Sequence, residues 1–315
     1  MSTAFVFPGQ GSQTVGMGKL LAEAFPAAKA VFTEVDDALG QHLSKIIWEG
    51  PEAELTLTEN AQPALMAVSM AVIRVLETDY GVTLAKAAKF VAGHSLGEYS
   101  ALAAVGTFTL ADAARLLKIR GKAMQAAVPV GQGAMAALLG LDFATAAAVA
   151  AEAAQGDICQ AANDNSDGQV VISGSKVAVD RACEIAKAKG AKRAILLSVS
   201  APFHCALMQP AAEAMAEALN NVQMRKPSVP VIANVLAVPL TDPAAIKHAL
   251  VAQVTGTVRW RECVAYMAQN GVNMFVEVGA GKILTGLAKK NAAQAVALNA
   301  GTPEEIAILL AHLSK

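Results

Sequence analysis

Short apolar runs and longer stretches of helical periodicity alternate along the first part of the chain. The runs at 3–7 and 90–92 predict two buried strands. Apolar residues recur at helical spacing over 20–39, 60–78 and 109–126. Strands that alternate with helices in this way are typical of an α/β fold with a mostly parallel sheet.

The pattern changes after a break rich in glycine and proline at 128–133. It then predicts a strand, a helix, two strands, a helix and a strand, and a turn-rich stretch at 163–168 joins the two central strands. The order β-α-β-β-α-β is that of a ferredoxin-like unit. We therefore expect a small ferredoxin-like domain at 129–199, inserted into a large α/β-hydrolase-like domain formed by 1–128 and 200–315. The turn is expected near the rim of a cleft between them.

The second apolar run ends in a sequence with the spacing of a catalytic motif. Gly93 follows the strand, Ser95 and Gly97 come at alternating positions, and a helical pattern continues from there. Gly-x-Ser-x-Gly between a strand and a helix is the nucleophile-elbow pattern, in which a tight turn exposes the serine hydroxyl. The same spacing also arises by chance, but the flanking strand and helix favour a nucleophilic Ser95. The backbone N–H of Leu96 would then face an oxyanion formed there.

The first predicted strand is followed by a glycine-rich loop, Pro-Gly-Gln-Gly-Ser-Gln at 8–13. Loops after strands lie at the carboxyl edge of the sheet, where open α/β folds bind ligands. The loop lacks the Lys-Ser/Thr pair of a phosphate-binding Walker A loop. One interpretation is an ordinary turn. The other is a second oxyanion donor, because elbow enzymes take that donor from another strand–helix loop, and Gln10 is the candidate.

Two further side chains could complete a site around Ser95. His204 lies on a loop after the last strand of the predicted insert, and it follows the serine in chain order as the base of an α/β-hydrolase-like enzyme does. Arg120 lies within a predicted helix, and its guanidinium could hold a carboxylate through two parallel hydrogen bonds. A structural histidine and a surface arginine are the alternatives. His94 adjoins Ser95 and is expected to point elsewhere.

Composition excludes several classes of function. The net charge of −1 over 315 residues gives no support for a nucleic-acid partner. The chain contains no uncharged apolar stretch of about 18 residues, so a membrane span is not expected. Its start lacks the basic and apolar regions of a signal peptide. The four cysteines are scattered without metal-ligand spacing, which predicts reduced thiols in a cytoplasmic protein and no bound metal.

Several short motifs stand in a fixed order along the chain. They are PGQGSQ at 8–13, GHSLGE at 93–98, KIRG around Arg120, NSxGQVV at 165–171, APFH at 201–204 and EVGAGKILTGL at 277–287. Together they resemble the malonyl-CoA:acyl carrier protein transacylases of bacterial fatty acid synthesis, and also the acyltransferase domains of polyketide synthases. The resemblance covers essentially the whole chain.

The resemblance implies a role for each matching residue. Ser95 matches the acylated nucleophile of the family, and His204 matches its general base and acid. Arg120 matches the arginine that holds the malonyl carboxylate. The backbone N–H groups of Gln10 and Leu96 match the oxyanion hole.

Two more positions follow from the same resemblance. Gln253 matches the glutamine whose main-chain carbonyl orients the histidine, which implies a serine–histidine dyad without a catalytic aspartate. Phe203 matches the bulky residue associated with selection of malonyl over methylmalonyl groups. The resemblance also implies malonyl-CoA as the substrate and no permanently bound cofactor.

The implied partner is an acidic acyl carrier protein, whose phosphopantetheine thiol accepts the malonyl group in this family. A basic patch is therefore expected beside the cleft. Two clusters of cations are candidates, one in the predicted insert and one in the C-terminal part: Arg181, Lys187, Lys189, Lys192 and Arg193, and Lys282, Lys289 and Lys290.

Other functions remain open at this point. A stand-alone acyltransferase that serves a polyketide synthase is the nearest alternative. A serine hydrolase or thioesterase would use the same elbow and histidine, although Arg120 argues against hydrolysis of neutral esters. A binding protein without activity would require a defect at Ser95 or His204, and both residues are present.

Overall fold

The computed structural model describes residues 2–313. Its strands fall into two sheets of different character. The ten strands of the described residues are β1 (Thr3–Phe7), β2 (Phe90–Gly93), β3 (Gly133–Leu139), β4 (Cys159–Ser166), β5 (Gln169–Ser175), β6 (Arg193–Leu196), β7 (Val231–Ile232), β8 (Pro239–Leu240), β9 (Met274–Val278) and β10 (Val296–Ala300).

Helices connect and cover these strands, and a 3₁₀ turn at Ala206–Met208 precedes one of them. The fifteen α-helices within residues 2–313 are α1 (Lys19–Ala24), α2 (Pro26–Leu39), α3 (Leu43–Glu49), α4 (Glu52–Thr56), α5 (Thr58–Thr78), α6 (Leu84–Ala87), α7 (Gly97–Ala104), α8 (Leu110–Ala126), α9 (Phe143–Ala154), α10 (Lys176–Ala188), α11 (Gln209–Asn220), α12 (Pro243–Thr255), α13 (Trp260–Gln269), α14 (Ile283–Asn291) and α15 (Pro303–Leu313).

Six strands form the larger sheet in the order β10-β9-β1-β2-β7-β8, and every neighbouring pair is parallel except β7 with β8. Strands β1, β2 and β9 are buried at every position, as expected for parallel strands that are covered on both faces. Since β1 and β2 are neighbours in register, the loops after Phe7 and Gly93 leave the sheet side by side. The glycine-rich loop and the predicted elbow therefore meet at one edge.

Alternate residues of β1 supply the cores on the two faces of this sheet. Phe5 and Phe7 pack into the larger apolar cluster, to which α5 contributes most of its length. Ala4 and Val6 pack into a second cluster on the other face, together with Trp260 at the start of α13. No helix within residues 2–313 has the length and apolar character needed to cross a membrane.

The smaller sheet is antiparallel throughout, in the order β4-β5-β3-β6, and α9 and α10 pack on it around their own apolar cluster. This order of strands, with two crossover helices, is that of the ferredoxin-like unit expected from the pattern. The predicted fold class is confirmed: an α/β chain with a mostly parallel sheet and a separate small antiparallel sheet. The domain boundaries at 129 and 199 stay a prediction.

The helical stretch predicted at 20–39 is divided into two helices. Phe25 is extended between them, with a φ of −128°, and Pro26 opens the second helix at its first position. Proline has no N–H to continue a preceding helix and disfavours helical backbone at the residue before it. The break follows from that single residue.

The turn predicted at 163–168 is shorter in the structure and comprises only positions 167 and 168. Strand β4 continues through Ser166, with two irregularities in its pairing to β5. Aspartate and asparagine are disfavoured in strands, but here their side chains have partners outside the sheet. Asp164 forms an ion pair of 2.7 Å with Arg261, and Asn165 lies 2.8 Å from His94. These contacts place a strand where the composition favours a turn.

Candidate active site

Ser95 lies at the tip of a sharp turn between β2 and α7. Its φ is 54°, in the left-handed region that residues with a Cβ rarely adopt. A Cβ on Gly93 would collide with the carbonyl of Gly97, and a Cβ on Gly97 would collide with the carbonyl of Phe7. The two glycines thus allow helix and strand to approach closely enough to expose the serine, as the elbow pattern predicts.

His204 lies on the segment between β6 and α11, and its side chain is buried against Ser95. Its Nε2 is 2.8 Å from Ser95 Oγ, and its Nδ1 is 2.8 Å from the main-chain oxygen of Gln253. Because a carbonyl oxygen only accepts, Nδ1 carries the proton and Nε2 is left to accept from the serine hydroxyl. His204 also has a positive φ, of 59°. Both members of the pair are held in strained backbone.

The environment of His204 favours its neutral form strongly. Burial, followed by the nearby charge of Arg120, lowers the pKa of His204 to about 3. This differs from an ordinary histidine, whose pKa is near 6.5. The imidazole is therefore available as a proton acceptor even in mildly acidic solution.

Arg120 projects from α8 into the same site and is buried. Its Nη2 donates to Ser95 Oγ at 3.1 Å and to Gln253 Oε1 at 3.0 Å, and its Nη1 donates to Gln62 Oε1 at 2.8 Å. Within residues 2–313, no carboxylate lies within ion-pair distance of this guanidinium. A buried cation whose neighbours are neutral amides can bind an incoming carboxylate.

The two predicted oxyanion donors flank the serine. Leu96 follows Ser95 and precedes α7, so its N–H is at the start of that helix. Gln10 lies on the loop after β1, and its side chain donates to Thr58 Oγ1 at 3.2 Å. In the described part of the chain, no hydrogen bond engages the backbone N–H of Gln10 or of Leu96. Both groups are free to donate to a reacting oxygen.

These groups open into a cavity of about 340 Å³. One side of it is polar and contains Gln10, Ser95 and Arg120. Apolar side chains line much of the rest, from the small sheet and the segment after it, where Met135, Leu197, Val199 and Phe203 lie beside the polar Asn163 and Ser198. The described residues contain no cluster of three or more histidine, cysteine or acidic side chains suited to a metal ion.

The family follows from comparison with known proteins. An acyl transferase domain matches residues 4–306. The chain belongs to the acyl transferase domain family. A relative in this family, the malonyl CoA-acyl carrier protein transacylase of Escherichia coli K12, is 50% identical over 287 residues, which are 91% of this chain and 92% of the relative. The protein of the same name from Bacillus subtilis strain 168 is 46% identical over 99% of this chain and 97% of its own length.

Solved structures of acyl transferases agree. The acyl-carrier-protein-S-malonyltransferase of Bartonella henselae is 60% identical, has a TM-score of 0.97 and covers both chains completely. A malonyl-transacylase in complex with its type II PKS acyl-carrier protein is 44% identical, with a TM-score of 0.96, over 99% of this chain and 100% of that one.

The sequence did not identify a buried polar network beneath the nucleophile of this acyl transferase. Asn234 Oδ1 accepts from the backbone N–H of Ser95 at 2.8 Å, and its Nδ2 donates to Gly93 O at 2.7 Å. Gln253 Nε2 donates to Ser95 O at 3.0 Å and to Glu98 Oε2 at 2.7 Å. Burial raises the pKa of Glu98 to about 7, although hydrogen bonds from Asn234 and Gln253 oppose this.

Different signals were present for these missed residues. Glu98 belongs to the GHSLGE motif, so it could have been selected for its position. Gln62 lies in the second turn of α5, with nothing to distinguish it from a polar helix residue. Asn234 is 139 positions from the serine it supports, and no motif marks it. His94, expected to point elsewhere, bonds Asn165 but still lines the cavity.

Proposed function

We propose that this chain transfers the malonyl group of malonyl-CoA to the phosphopantetheine thiol of an acyl carrier protein, through a malonyl-Ser95 intermediate. One observation carries the proposal. Ser95 Oγ lies 2.8 Å from His204 Nε2 and 3.1 Å from Arg120 Nη2, so a base and a carboxylate-binding cation converge on one hydroxyl. Two relatives that this chain matches over 92% and 97% of their length are named malonyl CoA-acyl carrier protein transacylase, which supports the same assignment.

In the first step, His204 Nε2 takes the hydroxyl proton as Ser95 Oγ attacks the thioester carbonyl. The oxygen of that carbonyl becomes an oxyanion, which accepts from the N–H groups of Gln10 and Leu96. Such donors contribute about 3 kcal/mol each to transition-state stabilisation. The C–S bond then breaks, and His204 returns the proton to the sulfur of CoA. The main-chain carbonyl of Gln253 keeps the imidazole in the tautomer this requires.

The second step reverses the first with a different thiol. His204 takes the proton of the phosphopantetheine thiol, the sulfur attacks malonyl-Ser95, and the serine oxygen leaves and regains a proton. No oxidant, reductant or metal ion takes part in either step. Because the two thioesters are similar in energy, the transfer is readily reversible, and no bound cofactor is proposed.

Arg120 determines the class of acyl group. Its guanidinium is buried beside Ser95 Oγ, so the far carboxylate of a malonyl group can accept from Nη2 in place of the serine hydroxyl. A neutral acetyl group would leave the cation without that partner. Phe203, in the apolar part of the cavity, is proposed to restrict branching at the acyl chain.

For the carrier protein, the C-terminal cluster is the better of the two basic candidates. In the insert cluster, Arg181, Lys187 and Lys189 form ion pairs with carboxylates of their own domain surface. In the C-terminal cluster, Lys282 likewise pairs with a carboxylate, that of Glu305. This cluster is favoured by its position, because Lys290 donates to Gln169 beside the β4–β5 turn and Asn291 donates to Asn165 O, next to the cavity. The cytoplasmic location, with four buried free thiols, and the division at 129–199 remain predictions.

Which pathway supplies the carrier protein is a second question. The relative solved with a type II PKS acyl-carrier protein favours polyketide synthesis as the alternative to fatty acid synthesis. A panel of carrier proteins of both kinds separates the two, since the preferred acceptor is the one with the higher transfer rate at equal concentration.

The test is to trap the intermediate and then offer it different acceptors. Intact-protein mass spectrometry should show one malonyl adduct after mixing with malonyl-CoA. The adduct should disappear rapidly with CoA or with carrier protein, and slowly in water. Ser95→Ala should form no adduct, whereas Ser100→Ala, at a buried serine of the following helix α7, should form it normally. Rapid loss in water alone would indicate a hydrolase, and an adduct on Ser95→Ala would move the nucleophile elsewhere.

A further inference from the structure

Glu98 is a buried carboxyl that the reaction above does not use. It lies one turn after Ser95 on α7 and is 1% exposed. Its Oε2 accepts from Gln253 Nε2 at 2.7 Å and from the backbone N–H of Asn234 at 3.1 Å. Burying a carboxyl is unfavourable unless its hydrogen bonds are made. Its two donors are both residues that contact the nucleophile turn.

The contact with Gln253 helps to fix which way round the carboxamide lies. Gln253 Nε2 donates to Glu98 Oε2 at 2.7 Å, and also to Ser95 O at 3.0 Å and Asn234 Oδ1 at 3.2 Å. The other end of the carboxamide, Oε1, then faces Arg120 Nη2 at 3.0 Å. If the carboxamide were reversed, two donors would meet at Arg120 and the NH₂ would lose its three acceptors. Glu98, at the shortest of the three distances, is therefore one of the groups that set the orientation of Gln253.

Arg120 depends on that orientation because a side-chain amide accepts from each end of its guanidinium. Gln62 accepts from Nη1 and Gln253 accepts from Nη2, the nitrogen that also reaches Ser95 Oγ. A guanidinium that is already aligned loses less freedom when it binds a carboxylate. Without the Gln253 acceptor, Nη2 would lose that hydrogen bond, and the guanidinium could adopt other orientations.

We propose that Glu98 is a positioning residue for malonyl selection: it holds the Gln253 carboxamide so that its oxygen aligns Arg120 for the substrate carboxylate. The inference rests on the proposed malonyl transfer and deepens it, because it names what orients the cation. A second effect passes through Asn234, which supports the backbone of Ser95 and acts equally on every acyl group. The ratio of malonyl to acetyl loading isolates the first effect from the second.

The experiment measures loading of malonyl-CoA and acetyl-CoA, as kcat and KM, for wild type, Glu98→Ala, Glu98→Gln and Gln253→Leu. Gln253→Leu keeps the main-chain carbonyl that bonds His204. We expect Glu98→Ala to raise the malonyl KM and lower malonyl-over-acetyl selectivity about tenfold, as for loss of one hydrogen bond to a charged group. Glu98→Gln should stay within about threefold of wild type, since its carboxamide oxygen can accept both N–H groups.

A double variant tests whether Glu98 acts through Gln253. If it does, Glu98→Ala combined with Gln253→Leu loses no more selectivity than Gln253→Leu alone, whereas independent effects add. Additive losses would overturn the proposal, and so would an unchanged malonyl-over-acetyl ratio in Glu98→Ala. Wild-type loading is measured beside them, so failure of malonyl transfer itself is seen separately.

Glu277 provides the matched control for a buried carboxyl in the same sheet region. It is fully buried in β9, and it accepts from the backbone N–H groups of Leu284 and Thr285 and from the Thr285 hydroxyl. Burial raises the pKa of Glu277, as it does for Glu98. Glu277→Gln should lower stability and leave the malonyl-over-acetyl ratio unchanged. A drop in the ratio equal to that of Glu98→Ala would mean that any buried carboxyl has this effect.

Glu98→Asp covers the case in which Glu98→Ala does not fold, as judged by circular dichroism. The shorter side chain keeps the carboxylate but withdraws it from Gln253. Selectivity should fall below that of Glu98→Gln by about threefold, the expected cost of a weakened hydrogen bond. Wild-type selectivity in Glu98→Asp would overturn the proposal.

Discussion

The two walls of the cavity are built in opposite ways. On the polar side, each reacting group is held by hydrogen bonds: the backbone of Ser95 by Asn234, the His204 ring by the main-chain oxygen of Gln253, and Arg120 by the side chains of Gln62 and Gln253. On the side of the small sheet, the cavity is lined mainly by apolar side chains, which contact a substrate only through shape. The last strand of that sheet, β6, pairs on one edge alone, with β3.

The difference assigns separate tasks to the two walls. Hydrogen bonds on the polar wall fix charge and proton position before the substrate arrives, which is how an active site lowers a barrier. Apolar contacts on the other wall discriminate by size, and one methyl group in such a pocket changes selectivity by about 1–3 kcal/mol. Substitutions on the polar wall should therefore have large effects on the reaction rate and on the selection of charged acyl groups. Substitutions on the apolar wall should have small effects, on the selection of acyl groups by size.

The largest effect is expected from Arg120→Ala on the polar wall. A site with buried donors for a substrate group rejects analogues that lack the group by about 10⁴-fold, so loss of the cation should remove malonyl-over-acetyl selectivity of up to that size. Malonyl loading should fall steeply, and acetyl loading should change much less. Competition between malonyl-CoA and acetyl-CoA, read by intact-protein mass spectrometry, measures the ratio.

Arg115→Ala is the matched control, because Arg115 is exposed on the same helix and pairs with Asp112. Its selectivity should equal that of wild type. If Arg120→Ala retained the wild-type ratio, Arg120 would have no part in the choice of acyl group, and the polar wall would not act through charge.

An intermediate effect is expected in the pH dependence of folding stability. The pKa of His204 is lowered in the folded protein to about 3, whereas the unfolded chain binds a proton below about 6.5. The unfolded state therefore gains protons first as the pH falls, and stability decreases with acidity. Between about pH 7 and pH 5, this residue alone should cost about 2 kcal/mol of unfolding free energy.

Urea unfolding of wild type and His204→Gln at the two pH values measures that contribution. The variant should lose about 2 kcal/mol less than wild type on acidification. The raised pKa of Glu98 acts with the opposite sign, but it is common to both proteins and cancels in the difference. His248→Gln, which changes an exposed histidine, should behave like wild type. Equal losses in His204→Gln and wild type would show that folding does not lower the pKa of His204.

The sequence predicted the groups that motifs mark, and it missed those that only the fold brings together. Strand, glycine and serine spacing are local, so the elbow could be predicted from 93–97 alone. Ser95, His204, Arg120 and Gln253 come into direct contact as the family resemblance led us to expect, although their roles stay predictions. No local sequence pattern marks Asn234 or Gln62, because their contacts are made across long sequence separations.

The errors in local structure have the same origin. The stretch at 163–168 has turn composition, yet its first four residues belong to β4, where distant partners such as Arg261 and His94 contact them. No propensity contains that information, since the partners lie on other elements. The lowered pKa of His204 was missed for a related reason: burial and the position of Arg120 are properties of the fold.

The smallest effect is expected on the apolar wall, from Phe203. Its ring is 8% exposed and lines the cavity beside His204, so truncation enlarges the space for the acyl chain without removing a hydrogen bond. The series Phe203→Leu and Phe203→Ala should increase methylmalonyl loading in that order, by about tenfold, the lower end of the range for one methyl group. Malonyl loading should change less, because Arg120 still binds the carboxylate. Comparing kcat/KM for malonyl-CoA and methylmalonyl-CoA, with thermal unfolding to check stability, measures this. If both substrates changed by the same factor, Phe203 would serve packing alone, and selection by shape would have to lie elsewhere on that wall.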